Sequence, residues 1–89
     1  MYFLGTVRLN GETRCVGYFE TKEQAEYILY NNVADIYEKG YYPLAIIEHI
    51  PAGLYQYDDK PSWYQWVNDK YEMCSTPRFA KDVIGFCIG

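Results

Sequence analysis

The apolar positions between Thr21 and Gly40 recur with a helical period, and they predict the element around which the chain is organised. Gln24 follows Thr21 at the spacing of a capping box, in which each side chain bonds a backbone N–H that the first turn leaves unpaired. Gly40, preceded by Lys39, marks the predicted end of the helix. One helix face carries six of the intervening side chains: Ala25, Ile28, Leu29, Asn32, Val33 and Ile36. The segment therefore predicts one long helix.

Two strand-like runs precede this helix, at residues 2–9 and 13–19. The Asn-Gly pair at 10–11 between them predicts a β-hairpin with a type I′ turn, since that turn needs a positive φ at both central residues. Gly5 and Gly17 lie inside the runs, where a missing side chain marks a bulge or a close approach by another group. We expect the helix, rather than a ligand, to make that approach.

Strand patterns return after the helix. Residues 41–50 contain consecutive apolar positions, which predict a central strand covered on both faces, with Pro43 near its start. After a polar connection at 54–62, a second hairpin is predicted from 63–67 and 71–74.

The end of the chain adds two short elements. Thr76 and Pro77 have the residue types of an N-cap and a first helical position, so a helical turn is predicted at 78–82. An apolar run at 83–88 predicts a closing strand inside the sheet. The order predicts a single α+β domain over residues 1–89: a mostly antiparallel sheet of five to six strands with one long helix packed on one face.

Length and composition narrow the class of protein. The 89 residues suffice for one modest core, and no apolar run approaches the about 18 residues that span a membrane. The N-terminus lacks the pattern of a signal peptide, so we expect a soluble cytoplasmic protein with no membrane association. Three cysteines, Cys15, Cys74 and Cys87, are expected to be free thiols in a reducing compartment.

Charge and motifs argue against several functions. A net charge of −4 disfavours bulk nucleic-acid binding but permits a small anion held by one or two arginines. His49 is the single histidine, so no metal site is expected. The carboxylate pairs Asp58/Asp59 and Glu23/Glu26 are expected to be solvated, and no phosphate-binding or nucleophile motif occurs. We therefore expect a protein that is not an enzyme and has no cofactor.

Tyrosine is the unusual component, at 11 of 89 residues. On the predicted helix Tyr27, Tyr30 and Tyr37 form a second stripe, facing away from the aliphatic one. Such a stripe predicts cover by another subunit, by the aromatic segment 63–66, or by a partner protein, unless the hydroxyls simply reach water. We expect a homo-oligomer or partner interface at these three tyrosines.

Asn32 interrupts the aliphatic face of the predicted helix. An unpaired buried amide destabilises the fold by about 1–3 kcal/mol, so this side chain should bond a strand, a turn or a ligand. It is a candidate ligand-binding residue.

Trp63 and Trp66 fall on opposite faces of one predicted strand and, with the arginines, form the remaining candidate site. An aromatic ring can stack on a nucleobase, and a guanidinium can hold phosphate with two hydrogen bonds. Arg8, Arg14 and Arg78 would supply the guanidinium groups. The alternative is that both tryptophans fill core positions.

Several segments, in order, also resemble a known family. They are Gly17-Tyr18-Phe19, 31–36 (Asn-Asn-Val-Ala-Asp-Ile), 42–48 (Tyr-Pro-Leu-Ala-Ile-Ile-Glu), 50–55 (Ile-Pro-Ala-Gly-Leu-Tyr), 63–66 (Trp-Tyr-Gln-Trp) and 85–89 (Gly-Phe-Cys-Ile-Gly). The chain resembles, over nearly all its length, a family of small uncharacterised proteins common in bacteriophages and gut Firmicutes. Members more often end in Phe-Gly-Ile-Gly, where this chain has Phe-Cys-Ile-Gly.

The resemblance implies a phage protein acting in a bacterial host cell, and it carries no activity or site residue. Small phage proteins without a catalytic signature often counter host defence. One mechanism sequesters a nucleotide-derived immune signal, which the tyrosines and arginines favour. A second, anti-CRISPR-like mechanism blocks a host defence protein, which the acidity favours. A phage accessory protein of another kind is the third interpretation.

Overall fold

The computed structural model describes residues 1–51 and 60–77 and places five strands and one α-helix in them. In chain order these are β1 (Tyr2–Val7), β2 (Thr13–Phe19), α1 (Lys22–Tyr30), β3 (Leu44–His49), β4 (Ser62–Val67) and β5 (Lys70–Cys74). The sheet order is β2-β1-β3-β4-β5, and every neighbouring pair is antiparallel. The α+β class and a five-stranded antiparallel sheet are thus confirmed.

The helix begins where the capping box predicted. The Gln24 backbone N–H donates to Thr21 Oγ1 at 3.2 Å, and the Thr21 N–H donates to Gln24 Oε1 at 3.3 Å. The predicted long helix over 21–40 is wrong, however, because α1 ends at Tyr30.

Two asparagines explain the early end. Asn31 is the C-cap and donates from Nδ2 to the Tyr27 carbonyl at 2.8 Å, while Asn32 adopts a left-handed backbone. The Asn32 side chain then accepts the Tyr37 N–H at 3.0 Å. Asparagine side chains compete for backbone hydrogen bonds in this way, which is why they favour helix ends over helix interiors.

Two short 3₁₀ turns, Val33–Asp35 and Glu38–Gly40, follow α1 and complete the connection to β3. Five residues other than glycine have a positive φ in this left-handed segment (residues 31–40): Asn32, Ala34, Asp35, Glu38 and Lys39. Ile36 is still buried, at 6% exposure, but Val33 is 36% exposed and does not continue an aliphatic face.

The first hairpin forms as predicted, but with a different turn. Of the Asn-Gly pair at 10–11 only Gly11 has a positive φ, +93°. The Arg8 N–H donates to the Glu12 carbonyl at 2.8 Å, and the Gly11 N–H donates to the Arg8 carbonyl at 2.9 Å. These bonds define a three-residue loop ending in a left-handed glycine instead of the two-residue type I′ turn.

A bulge interrupts the β1–β2 pair at Gly5. Leu4 is opposite Gly17, but the next residue, Gly5, is opposite Cys15. A Cβ on Gly5 would lie 2.8 Å from Cζ of Phe3, so the close approach comes from that buried ring. The expectation that the helix makes this approach is wrong for Gly5.

Two other strand predictions are confirmed. β3 lies between β1 and β4, and its first five residues are buried. The β4–β5 turn has positive φ at Asn68 (53°) and Asp69 (66°), as a two-residue type I′ turn requires.

Buried side chains form one cluster on each face of the sheet. The face under α1 contains Leu4, Ala25, Leu29, Ile36, Ala45, Ile47, Tyr64 and Tyr71. The opposite face contains Phe3, Val7, Leu44, Ile46 and Trp63.

Some predictions concern residues outside the described part of the chain. They are most of the 54–62 connection, the helical turn at 78–82 with Arg78, and the closing strand at 83–88 with Cys87. No helix in residues 1–51 and 60–77 is long and apolar enough to cross a membrane.

Candidate ligand-binding site

A pocket of about 230 Å³ lies at one end of the sheet, where three strands meet the beginning of α1. We call it the basic pocket. Its described lining residues are Tyr2, Lys22, Ile47, His49, Lys60 and Ser62.

The strand register places four of these side chains together. Tyr2 of β1 is opposite His49 of β3, and Ile47 of β3 is opposite Ser62 of β4. Ile47 and His49 are two residues apart, so both project from the α1 side of the strand. The rings of Tyr2 and His49 are in contact, with centroids 4.8 Å apart and planes tilted by 36°.

Two lysines also line the pocket. Lys22 is the first residue of α1, and the capping box at Thr21 fixes where that residue lies. Lys60 lies just before β4. Among residues 1–51 and 60–77, no aspartate or glutamate lines the pocket, although the whole chain carries a net charge of −4. The local composition therefore suits a small anion, for which lysine ammonium groups provide charge and several donors.

A second group of basic side chains lies at the opposite end of the sheet, near Val7. We call it the arginine–tyrosine cluster: Arg8, Arg14, Tyr41 and Tyr42. The Arg8 guanidinium lies 5.0 Å from the Tyr41 ring centroid and 5.4 Å from that of Tyr42, and Arg14 lies 4.4 Å from the Tyr42 centroid. The structure thus brings together two arginines that the sequence singled out.

Both arginines have intramolecular partners. Arg14 forms an ion pair with Glu38 and donates from Nη2 to the Ile36 carbonyl at 2.6 Å. Arg8 Nη1 lies 3.4 Å from Glu12 Oε2. These carboxylates neutralise much of the positive charge that a phosphate would otherwise meet in the cluster.

The other predicted ligand-binding residues that lie in the described part of the chain are also engaged within it. Trp66 stacks on Tyr37, with ring centroids 3.9 Å apart and planes 8° from parallel. Trp63 is 2% exposed in the cluster on the opposite face. The Asn32 side chain is hydrogen-bonded within a turn: it accepts the Tyr37 backbone N–H and donates to Asp35 Oδ1 at 3.2 Å. Their ligand-binding role stays a prediction, and none of them lines the basic pocket.

The predicted tyrosine stripe is divided, because α1 ends before Tyr37. Tyr37 is half-buried against Trp66, and Tyr30 meets the edge of Tyr64 at 5.9 Å between centroids. The aromatic segment 63–66 therefore covers part of the stripe. Tyr27 remains 65% exposed.

Tyr27 also borders an open groove of about 600 Å³ between β2 and α1. Its lining is Met1, Tyr18, Phe19, Glu20, Gln24, Tyr27 and Ile28.

Two buried tyrosines act as structural donors. Tyr64 donates to Glu26 Oε2 at 3.0 Å, and burial, followed by this hydrogen bond, raises its pKa. Tyr71 donates to the Tyr42 carbonyl at 2.7 Å, and burial is again the main cause of its raised pKa. Both phenols therefore stay protonated near neutral pH, which makes them unsuitable as proton acceptors there.

Free thiols are found at both described cysteines. Cys15 is exposed and Cys74 is half-buried, and burial raises the pKa of the Cys74 thiol. Neither lines the basic pocket.

Sequence reasoning missed the basic pocket because its residues are dispersed along the chain from position 2 to position 62. The capping box did identify the helix start beside Lys22. Nothing in the sequence, however, indicated that Tyr2 would be opposite His49, since that follows only from the β1–β3 register.

Comparisons of the chain with protein family models, with curated proteins and with solved structures gave no match, so the functional argument rests on the geometry of the basic pocket.

Proposed function

We propose that the protein is a non-catalytic binding protein that sequesters a small nucleotide-derived signal in the basic pocket. The observation that supports this is the composition of the described part of the lining, which combines two lysines, the single histidine and a tyrosine in a chain of net charge −4. Lys22 and Lys60 would hold phosphate, and the contacting rings of Tyr2 and His49 offer apolar surface to a base or sugar.

The charge distribution favours a small ligand over a nucleic acid. A long polyanion would meet the negative field of the whole chain, whereas a ligand that fits within the pocket meets mainly its local lining.

The phage setting comes from the sequence resemblance alone. In that setting, removing a host immune signal by binding it would be a counter-defence function. Binding without turnover needs no catalytic group, and the protonated phenols of Tyr64 and Tyr71 do not supply a base.

A thermal-shift screen tests the proposal. Cyclic dinucleotides, ADP-ribose derivatives and mononucleotides are added to the wild-type protein, to Lys22→Gln and to the control Lys70→Gln, whose lysine lies on β5 near Glu72. We expect at least one compound to raise the unfolding temperature of the wild type and the control, with a smaller rise for Lys22→Gln. The bound compound should be recovered unchanged; its turnover would refute the non-catalytic function, and no stabilisation by any compound would refute binding.

A second candidate function, inhibition of a host defence protein, is favoured by one surface. Glu23, Glu26, Tyr27 and Tyr30 share one side of α1, and Tyr27 is its most exposed aromatic residue. An acidic and aromatic surface suits a basic partner protein, and it is also where a homo-oligomer would form. This function predicts that the protein captures a host defence protein, that Tyr27→Ala abolishes the capture and that Lys22→Gln does not. A protein that is monomeric by light scattering would exclude the oligomer.

A further inference from the structure

We infer that Asn10 is a site of spontaneous deamidation, and that the turn of the first hairpin slows the reaction by holding the two reacting groups. The site lies in the loop between β1 and β2, at the other end of the sheet from the basic pocket. Its chemistry is independent of the proposed ligand. The product carries a carboxylate in place of the side-chain amide of Asn10.

The reaction joins two neighbouring groups of the chain and consumes only water. The backbone nitrogen of Gly11 attacks Cγ of Asn10, and a C–N bond forms between them. The bond from Cγ to the side-chain nitrogen breaks, and that nitrogen leaves as ammonia with the proton of the Gly11 N–H. Water then opens the cyclic imide at either of its carbonyls, which gives aspartate or isoaspartate.

Asn10 is the asparagine whose neighbour hinders this attack least. The other three, Asn31, Asn32 and Asn68, are followed by asparagine, valine and aspartate. Glycine has no Cβ to obstruct the approach of its nitrogen, and it adopts backbone conformations that other residues avoid. Asparagine is also among the chemically labile residues of proteins. The residue types therefore favour reaction at Asn10.

The folded hairpin presents this pair at an exposed loop tip. Asn10 is exposed, and the preceding residue, Leu9, is 74% exposed. Exposed loop tips open locally at low free-energy cost, because little apolar surface has to leave the core. Water therefore reaches the loop, and the turn can open while the rest of the fold stays intact.

Two hydrogen bonds hold the reacting groups while the turn is closed. The Gly11 N–H, which belongs to the attacking nitrogen, donates to the Arg8 carbonyl at 2.9 Å. Oδ1 of Asn10 accepts the Glu12 N–H at 3.0 Å, which fixes the rotation of the Asn10 side chain. The attack therefore has to wait for the turn to open, so the folded chain should react more slowly than the unfolded one.

Isoaspartate would loosen this end of the hairpin. The main chain then passes through the former side chain and gains a methylene group. The Arg8 N–H and the Glu12 carbonyl, whose N and O atoms are 2.8 Å apart in the closed turn, would no longer align. Because the Arg8 guanidinium lies against Tyr41 and Tyr42, the change would extend to the arginine–tyrosine cluster.

Peptide mass spectrometry of the full chain tests the inference. The wild type is incubated at pH 8, with and without enough urea to unfold it, and the conversion of each asparagine is followed. We expect Asn10 to convert in both samples, but about tenfold more slowly in the folded protein, as about 1.4 kcal/mol of hydrogen bonding would produce. Asn68, which also lies in a hairpin turn, is the internal control and should convert much more slowly than Asn10 in urea.

Two variants of Leu9 test the part played by the turn. Leu9→Gly gives the loop more backbone freedom, so it should speed conversion in the folded protein by about two- to fivefold and leave the rate in urea unchanged. Leu9→Ala is the matched control, because it removes the same exposed side chain without adding the freedom of glycine. It should convert at the rate of the wild type.

Three results would overturn the inference. Equal rates at Asn10 with and without urea, or equal rates in folded Leu9→Gly and Leu9→Ala, would show that the turn does not control the reaction. A folded chain that shows no conversion after the urea sample has converted completely would exclude Asn10 as a modification site of the native protein. All three are independent of nucleotide binding in the basic pocket.

Discussion

At the scale of single residues, the left-handed segment has the least favourable backbone in the described chain. A left-handed conformation is unfavourable by about 1–2 kcal/mol for most residues, though asparagine and aspartate tolerate it better. Ala34, with a φ of 56°, has no polar side chain to compensate, and it is exposed. Its conformation is imposed by the contacts on either side.

We therefore expect Ala34→Gly to raise the free energy of unfolding by about 0.5–1 kcal/mol, because glycine adopts this conformation without a steric penalty. The matched control is Ala25→Gly in α1, where the same change should lower stability by about 1 kcal/mol or more. Urea denaturation of both variants measures the two effects. Destabilisation by both changes would contradict a left-handed Ala34.

The raised pKa values of Tyr64 and Tyr71 predict how the free energy of unfolding changes at alkaline pH. Their pKa values are raised in the folded protein, so the unfolded chain, with ordinary values of about 10, loses these protons first. The stabilisation is complete below pH about 10 and falls above it by about 1.4 kcal/mol per pH unit for each group. Urea denaturation between pH 9 and 11 measures this slope. The slope should flatten in a variant in which both tyrosines are changed to phenylalanine. An equally steep slope in that variant would show that other groups cause the loss of stability.

At the scale of elements, local patterns predicted where the helix starts and where the hairpins lie, but not the length of the helix or the type of the first turn. The capping box and the position of the second hairpin were predictable because the bonds that form them join residues close in sequence. The end of the helix was not predictable, because Ile36 continues the helical spacing of apolar positions and is buried although it lies outside α1. Part of what stabilises the left-handed segment is distant in sequence: Arg14 reaches the Ile36 carbonyl, and Trp66 stacks on Tyr37.

Arg14→Met should therefore destabilise the left-handed segment. A hydrogen bond to a charged group contributes about 1.5–3 kcal/mol, and Arg14 also loses its ion pair with Glu38. Arg8→Met is the control, because its exposed pair with Glu12 should contribute only about 0.2–1 kcal/mol. Hydrogen exchange should accelerate at the Asn32 and Tyr37 amides in Arg14→Met only. Equal protection in both variants would mean that Arg14 does not hold the segment.

At the scale of the whole molecule, basic side chains gather at both ends of the sheet. The end near Val7 combines Arg8 and Arg14 with carboxylate partners. The other end places two lysines and a histidine in the basic pocket. Sequence reasoning chose the first end, because arginine and tryptophan are recognisable as residue types. The second end depends on the register of three strands, which residue types do not reveal.

The single histidine allows the most direct test of the basic pocket, because its ring gives one set of NMR signals from the pocket lining. We expect the His49 ring signals of the wild type to shift saturably as AMP is added, and to shift much less at the same AMP concentrations in Lys22→Gln. Arg8→Met, altered at the opposite end of the sheet, should behave as the wild type does. Binding of AMP that leaves the His49 signals unmoved, or that is weakened by Arg8→Met and not by Lys22→Gln, would contradict a ligand site in the basic pocket.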